Sequence, residues 1–299
     1  MLKSDWTLEN GLPQGLPWNG TVGLLLDGVS VEKLPQHLYQ WSDDPVFEPL
    51  YLGTQWAELG DVSPCLVQIN AQSNPILAKF LAEPRQEWGY LVFSDQPWTQ
   101  MVEHFRWLTS VMHPQGEEVL LRVADPAVAH ALLGHAESIK DPTLFGPCSQ
   151  IVTADAALGC WHINQRPGKA PEPNHSKRYR LSDEQLSQLD EVNFRSIVLR
   201  LDQHMHEYFP SYQAQSMPLH RWEHLHALAS TSYDRGFNTE LDITLYANIH
   251  GFLGERALEE HPDLDAILKT PSEQTPAQRL ERVADIAQER AETLHRNQG

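Results

Sequence analysis

Residues 166 to 180, RPGKAPEPNHSKRYR, set the strongest limit on how this chain folds. Three prolines, several cations and no apolar run rule out a helix interior or a central strand there, so the segment reads as a linker or exposed loop. The residues before it and after it follow different periodicities. Upstream, short apolar runs alternate with helical stretches. Downstream, from Ser182 onward, strand signals disappear.

The upstream half opens with a turn-rich lead-in, LENGLPQGLPWNG, and a buried-strand run at Thr21 to Asp27 (TVGLLLD). The helical stretch VEKLPQHLYQW follows, then VFEPLYL and PCLVQIN as strands, NPILAKFLAE as a helix and WGYLVFSD as a strand. Next come PWTQMVEHFRWLTSVM as a helix, EEVLLRVAD as a strand, PAVAHALLGHA as a helix, and CSQIVTAD and LGCWHIN as closing strands. In the helix from Pro97, Asp95 is expected in the N-cap region, and Met101, Phe105, Leu108 and Met112 form a core-facing stripe. Strands alternating with helices across short connections predict an α/β lobe with a mixed sheet and flanking helices.

In the downstream half, Ser182 with Gln185 three residues on is a capping box opening a long helix. That helix carries Leu186, Leu189, Phe194, Ile197, Val198, Leu201 and Met205 along one side. Further helices are expected at MPLHRWEHLHALASTSYDRG, TELDITLYANIHGFLG and PAQRLERVADIAQERAETLHR. The predicted organisation is an α/β domain over 1–165, a linker over 166–181 and an all-α lobe over 182–299.

Charge narrows the function classes. Lys and Arg total 22 against 40 Asp and Glu, a formal net charge of -18. A surface so acidic argues against nucleic acid as a partner and against an anionic membrane. The first residues, MLKSDWTLENGLPQG, lack the apolar core of a signal peptide, and no run approaches a membrane span, so a cytoplasmic protein without membrane insertion is expected. Cys65, Cys148 and Cys160 are scattered with no C-x-x-C pair and read as reduced thiols.

The stretch that most looks like chemistry is PLHRWEHLH, residues 218 to 226. His220, Glu223 and His224 match the H-x-x-E-H spacing of inverted zinc peptidases, which leaves a zinc-dependent hydrolase as an alternative reading. On a helical wheel these three share a polar face, while Leu219, Trp222, Leu225 and Ala229 lie on the other side with His226 among them. Ligands turned away from the packing face lack a dry pocket unless another element covers them, and a candidate third ligand such as Glu255 is no more than an acidic helical protein always offers, so no metal, cofactor or catalytic residue is assigned. His204 and His206, two apart on a helix, point to different faces. No G-x-S-x-G elbow, P-loop or G-x-G-x-x-G motif is present.

Residues 104 to 147, HFRWLTSVMHPQGEEVLLRVADPAVAHALLGHAESIKDPTLFGP, resemble the helix, strand, Asp-Pro, helix and Phe-Gly-Pro succession of the type VI secretion adaptors, or effector chaperones (the Tap/TEC family). The LLDG of 25 to 28, PLYLGT of 49 to 54, ELGDVSPCLVQI of 58 to 69 and WGYLVFSD of 88 to 95 resemble earlier blocks in order, and YDRGFNTELDITLYANIHGFLG resembles the helical lobe that follows. The chain departs from the pattern at Ala127, where the family commonly has arginine, and at Val123-Ala124, where an aromatic is usual. The resemblance implies a non-enzymatic adaptor that binds a toxic effector and helps load it onto the spike (VgrG-type) protein. An immunity or scaffold protein that binds the toxin is the other alternative. Asp27, His104, Arg106, Arg122, Asp125, Pro126, Phe145, Gly146 and Pro147 are the motif residues, expected to be structural or partner-binding. Asp125 reads as an N-cap with Pro126 at N1, and either arginine is able to pair with it or with Asp27. Trp6, Trp18 and Trp56 are candidates for contact surface.

Overall fold

The computed structural model describes residues 6–270 and 272–298. Its elements run β1 (Thr21–Leu26), α1 (Leu34–Trp41), β2 (Phe47–Pro49), β3 (Cys65–Gln68), α2 (Pro75–Ala82), β4 (Gly89–Ser94), α3 (Trp98–Leu108), β5 (Ser110–Met112), β6 (Glu118–Leu120), α4 (Pro126–Ser138), β7 (Cys148–Asp155), β8 (Cys160–Gln165) and β9 (Tyr179–Arg180). Among the described residues that follow, the elements are all helices: α5 (Asp183–Tyr208), α6 (Pro218–Asp234), α7 (Glu240–Leu253), α8 (Ala257–Glu260), α9 (Pro262–Lys269) and α10 (Pro276–Gln298). The α/β first half and all-α second half read from the sequence are both present.

The first compact unit comprises residues 1–192. Six strands form one sheet in the order β2-β3-β1-β4-β7-β8, every neighbouring pair antiparallel. Its central strands are apolar on both faces because both faces are covered. Leu24, Leu26, Leu91 and Phe93 pack with Phe80 of α2 on one side, while Leu25, Tyr90 and Val92 meet Met101 and Phe105 of α3 on the other. A second sheet, β6-β5-β9, contains the parallel pairing, β5 with β9.

The α3 region departs from the sequence reading in two places. The helix stops at Leu108, where Thr109 bonds its hydroxyl back to the Arg106 carbonyl, and Ser110 to Met112 become a strand. Met112 therefore leaves the helical stripe. Pro97 is the N-cap, without a side-chain cap bond, and Asp95 instead approaches Arg166 at 3.5 Å.

Residues 166–181, expected as a linker, are tied to the first unit. The Arg166 guanidinium donates to the Pro147 carbonyl at 3.0 Å, Trp107 Nε1 donates to the Lys177 carbonyl at 2.9 Å, and Tyr179 pairs with Val111. The capping box at Ser182 and Gln185 forms in both directions, at 3.0 and 3.1 Å. The compact unit continues into α5 as far as Val192, with Leu186 and Leu189 against its core.

The second unit, residues 193–299, is a helical core in which Val198, Leu201, Leu225, Ile243, Tyr246 and Val283 are buried together. Thr239 and Asp242 cap α7 reciprocally, the arrangement that satisfies two N-terminal amides at once. No helix among the described residues is long and apolar enough to cross a membrane.

Candidate functional site

The motif residues gather at two places in the first unit. At the first, Asp27 follows β1 and is only 4% exposed. Its carboxylate accepts from the amides of Val29 and Ser30 and from the Ser30 hydroxyl, closing the turn after the strand. Arg122 then bridges two carboxylates, Asp27 at 2.6 Å and Asp125 at 3.2 Å. Asp125 divides its oxygens: Oδ1 accepts from the amides of Ala127 and Val128 as the α4 cap, and Oδ2 faces Arg122. Pro126 occupies the first helical position, where its missing N–H has no consequence. Burial and the Asp27 charge push the Tyr51 phenol up to about 12. Arg106 joins neither aspartate; it reaches Glu48 and the Pro49 carbonyl at 3.4 Å. Replacing Asp27 with alanine removes three bonds from a buried turn and one partner of Arg122. With the arginine half exposed and still facing Asp125, the expected loss is about 2 kcal/mol, read from a chemical denaturation midpoint.

At the second place, His104 on α3 is buried, and its Nε2 lies 3.0 Å from the Leu144 carbonyl. A carbonyl only accepts, so Nε2 carries the proton and Nδ1 is left as a lone-pair acceptor. Burial, together with the nearby His175, lowers His104 to about 4 despite the Leu144 bond, so the ring is neutral. Gly146 packs on that ring with φ of 51°, and a Cβ at this position would lie 2.4 Å from ring atoms. Phe145 is fully buried in the core, which anchors the Phe145-Gly146-Pro147 turn against α3. The Gly146 and Pro147 carbonyls accept from Arg166.

His104 and Gly146 also line an open cleft of about 520 Å³. One wall is the α3 face carrying Gln100, Glu103, His104 and Trp107, at the i, i+3, i+4 and i+7 positions of one side of the helix. The other is the strap from Ala170 to Arg180. His175 folds from the strap onto Trp107, ring centres 5.1 Å apart and nearly parallel. The sequence reading named His104 but not Trp107 or His175, because a proline-rich segment carries no periodicity that tells which helix it crosses.

A further cluster has no local signature in the sequence. His130 of α4 stacks on His162 of β8 at 3.8 Å, and His162 lies 3.1 Å from Asp155. Burial opposes a charge on His162, but bonding to Asp155 and Cys160 outweighs it and raises the imidazole to about 9. No local spacing links residues 130, 155 and 162; the β7–β8 hairpin and the helix above it bring them together.

The histidine-rich helix α6 lies in the second unit. His220 and Glu223 are exposed, and half-buried His224 hydrogen-bonds the Tyr212 hydroxyl at 2.7 Å. Among the described residues no three His, Cys, Asp or Glu side chains converge as a metal-ligand set. Trp222, Leu225 and Ala229 pack inward as the wheel places them, but Leu219 in the first turn is exposed. Buried Arg221 takes its place in the packing, bonded to Asp202 at 2.5 Å and to the Tyr212 carbonyl at 2.7 Å. Trp6 and Trp18 pack against the first unit's core, and Trp56 donates to Ser110 at 2.7 Å.

Comparison with known proteins places the chain. The family described as a domain of unknown function (DUF4123) matches residues 24–140, a span that includes Asp27, His104, Arg122 and Asp125. Accessory protein VasW of Vibrio cholerae serotype O1 is 30% identical over 282 residues, covering 92% of this chain and 90% of VasW. No solved structure is significantly similar. With relatedness running through both compact units and the family match spanning residues 24–140, the chain belongs to the DUF4123 family, as its resemblance to type VI secretion adaptors implied.

Proposed function

We propose that this chain is a non-enzymatic accessory protein of type VI secretion, an adaptor that binds a toxic effector in the cytoplasm of the producing cell and helps load it onto the spike (VgrG-type) protein. The observation that carries this reading is the relatedness to an accessory protein across almost the whole of both chains. The motif geometry supports it. Arg122 pairs with both Asp27 and Asp125, and both carboxylates accept from the surrounding backbone, as residues do that hold a binding scaffold in shape. The net charge of -18 favours encounter with a basic partner segment.

Affinity capture of the tagged full chain from its native cell tests the proposal. Recovery of a toxin together with a spike protein is expected, and deletion of the chain is expected to stop delivery of that toxin while leaving the attacking cell resistant to it. Recovery of neither partner overturns the adaptor reading. Protection of target cells by the chain alone replaces it with an immunity function.

A further inference from the structure

The lining of the cleft between α3 and the strap includes several polar groups that have no partner among the described residues. His104 is 3% exposed, its Nε2 is held by the Leu144 carbonyl, and Nδ1 makes no hydrogen bond among the described residues. This lone pair belongs to a ring that forms part of the cleft wall. It therefore suits an N–H donor brought from outside.

The strap adds main-chain groups. From Ala170 to Ser176 it makes no backbone hydrogen bond among the described residues, and Pro171 and Pro173 have no N–H to offer. What it presents is unbonded main chain of both polarities, the N–H groups of Ala170, Glu172, Asn174, His175 and Ser176 beside the carbonyls of the same stretch. Unbonded main-chain donors and acceptors along a strap, opposite the acceptor of His104, match a ligand with both groups at regular spacing, which is the chemistry of an extended polypeptide. The Gln100 side-chain amide on the opposite wall, also without a partner among the described residues, is able to bond either polarity of a peptide main chain.

The charges on the rim point the same way. Arg178 is paired with Glu118 at 2.8 Å, and Arg180 is held by the Pro114 carbonyl at 3.0 Å, so the Arg178 charge is met by a carboxylate and the Arg180 guanidinium is tethered beside the cleft. Glu103 and Glu172, one on each wall, are exposed and form no ion pair among the described residues. Glu103 also acts electrostatically on His175 of the strap, and exposed carboxylates on both walls attract a cation. Resting on the adaptor reading above, we propose that this cleft binds an extended segment of the effector that carries a lysine or arginine side chain, its main-chain amides donating to His104 and the strap and its cation seated between Glu103 and Glu172.

The test uses the full chain and fluorescent 12-residue peptides tiling the toxin that it captures. Anisotropy should find one or a few adjacent basic peptides whose binding weakens steeply with salt, and replacement of their lysine or arginine by glutamine should cost at least tenfold. Glu103→Lys/Glu172→Lys, at exposed positions, should lose the peptide at least tenfold, while Glu281→Lys on the second unit should bind as the parent does. A benzophenone side chain introduced at Gln100 should crosslink to the same peptide. If the toxin is captured but the double variant retains both toxin and peptide, the cleft is not the site and the adaptor reading stands. A small molecule that copurifies, crosslinks at Gln100 and displaces no peptide overturns the polypeptide assignment. Capture of neither toxin nor spike by the parent chain overturns the adaptor reading, and this site falls with it.

Discussion

Gly146→Ala is expected to destabilise the first unit by about 3 kcal/mol, for two separable reasons: an alanine at a positive φ costs on the order of 1 kcal/mol, and overpacking against a buried ring costs about as much again or more. The φ here is 51°, and the new methyl would sit 2.4 Å from the His104 ring, whose position is fixed by the Leu144 bond and by packing against Phe105 and Trp107. Neither neighbour yields easily. Removing the ring separates the two costs. In His104→Ala/Gly146→Ala the steric part should vanish, so the two changes together should cost less than the sum of the single variants by about 2 kcal/mol. Hydrogen exchange of the α3 amides reads both, since α3 lies directly under the turn. Strict additivity would show that the ring and the turn do not hold each other.

Acid should weaken the same region by a comparable amount. His104 is at about 4 when folded against an ordinary 6.5, so the unfolded chain takes up the proton first as pH falls. The stability of the folded state is intact above pH 6.5, declines between 6.5 and 4, and levels off below that, a loss of about 3 kcal/mol for this one group. His162 acts with the opposite sign. At about 9 when folded, it stabilises the protein fully below pH 6.5, and that contribution fades as pH rises to 9. Imidazole resonances followed by NMR separate them: one ring should stay neutral until about pH 4, and another should stay charged through neutrality. His104→Gln should flatten the acid limb while leaving the alkaline limb in place. An unchanged acid limb would mean that another group controls it.

The parts of this fold that sequence disclosed are those specified by neighbours along the chain. Asp125-Pro126 announces a helix start because the cap bonds run to residues two and three positions on, and Ser182 with Gln185 does the same. The apolar runs of β1, β4 and β7 stand out because strands covered on both faces need no polar alternation. What stayed hidden depends on distant partners. Ser110 to Met112 looks like the tail of a helix until β6 and β9 are there to pair with it. Arg221 looks like a polar surface residue until Asp202 and the Tyr212 carbonyl are brought to it. The candidate site divides in the same way. Asp27, His104, Arg122 and Gly146 fall within blocks that resemble a family, whereas Trp107 and His175 meet only after the strap has crossed α3.

That crossing has a kinetic meaning. Tyr179 pairs with Val111, and the Lys177 carbonyl receives Trp107 Nε1, contacts that close loops of about seventy residues. Such closures come late in folding, because their entropy must be lost before any contact in the loop is gained. During synthesis, α3 is therefore laid down against the sheet long before the strap emerges to cover it. Until residues 175 to 180 arrive, the His104 and Trp107 face is an uncovered groove, and the strap is the piece that turns a bare helix surface into a walled channel.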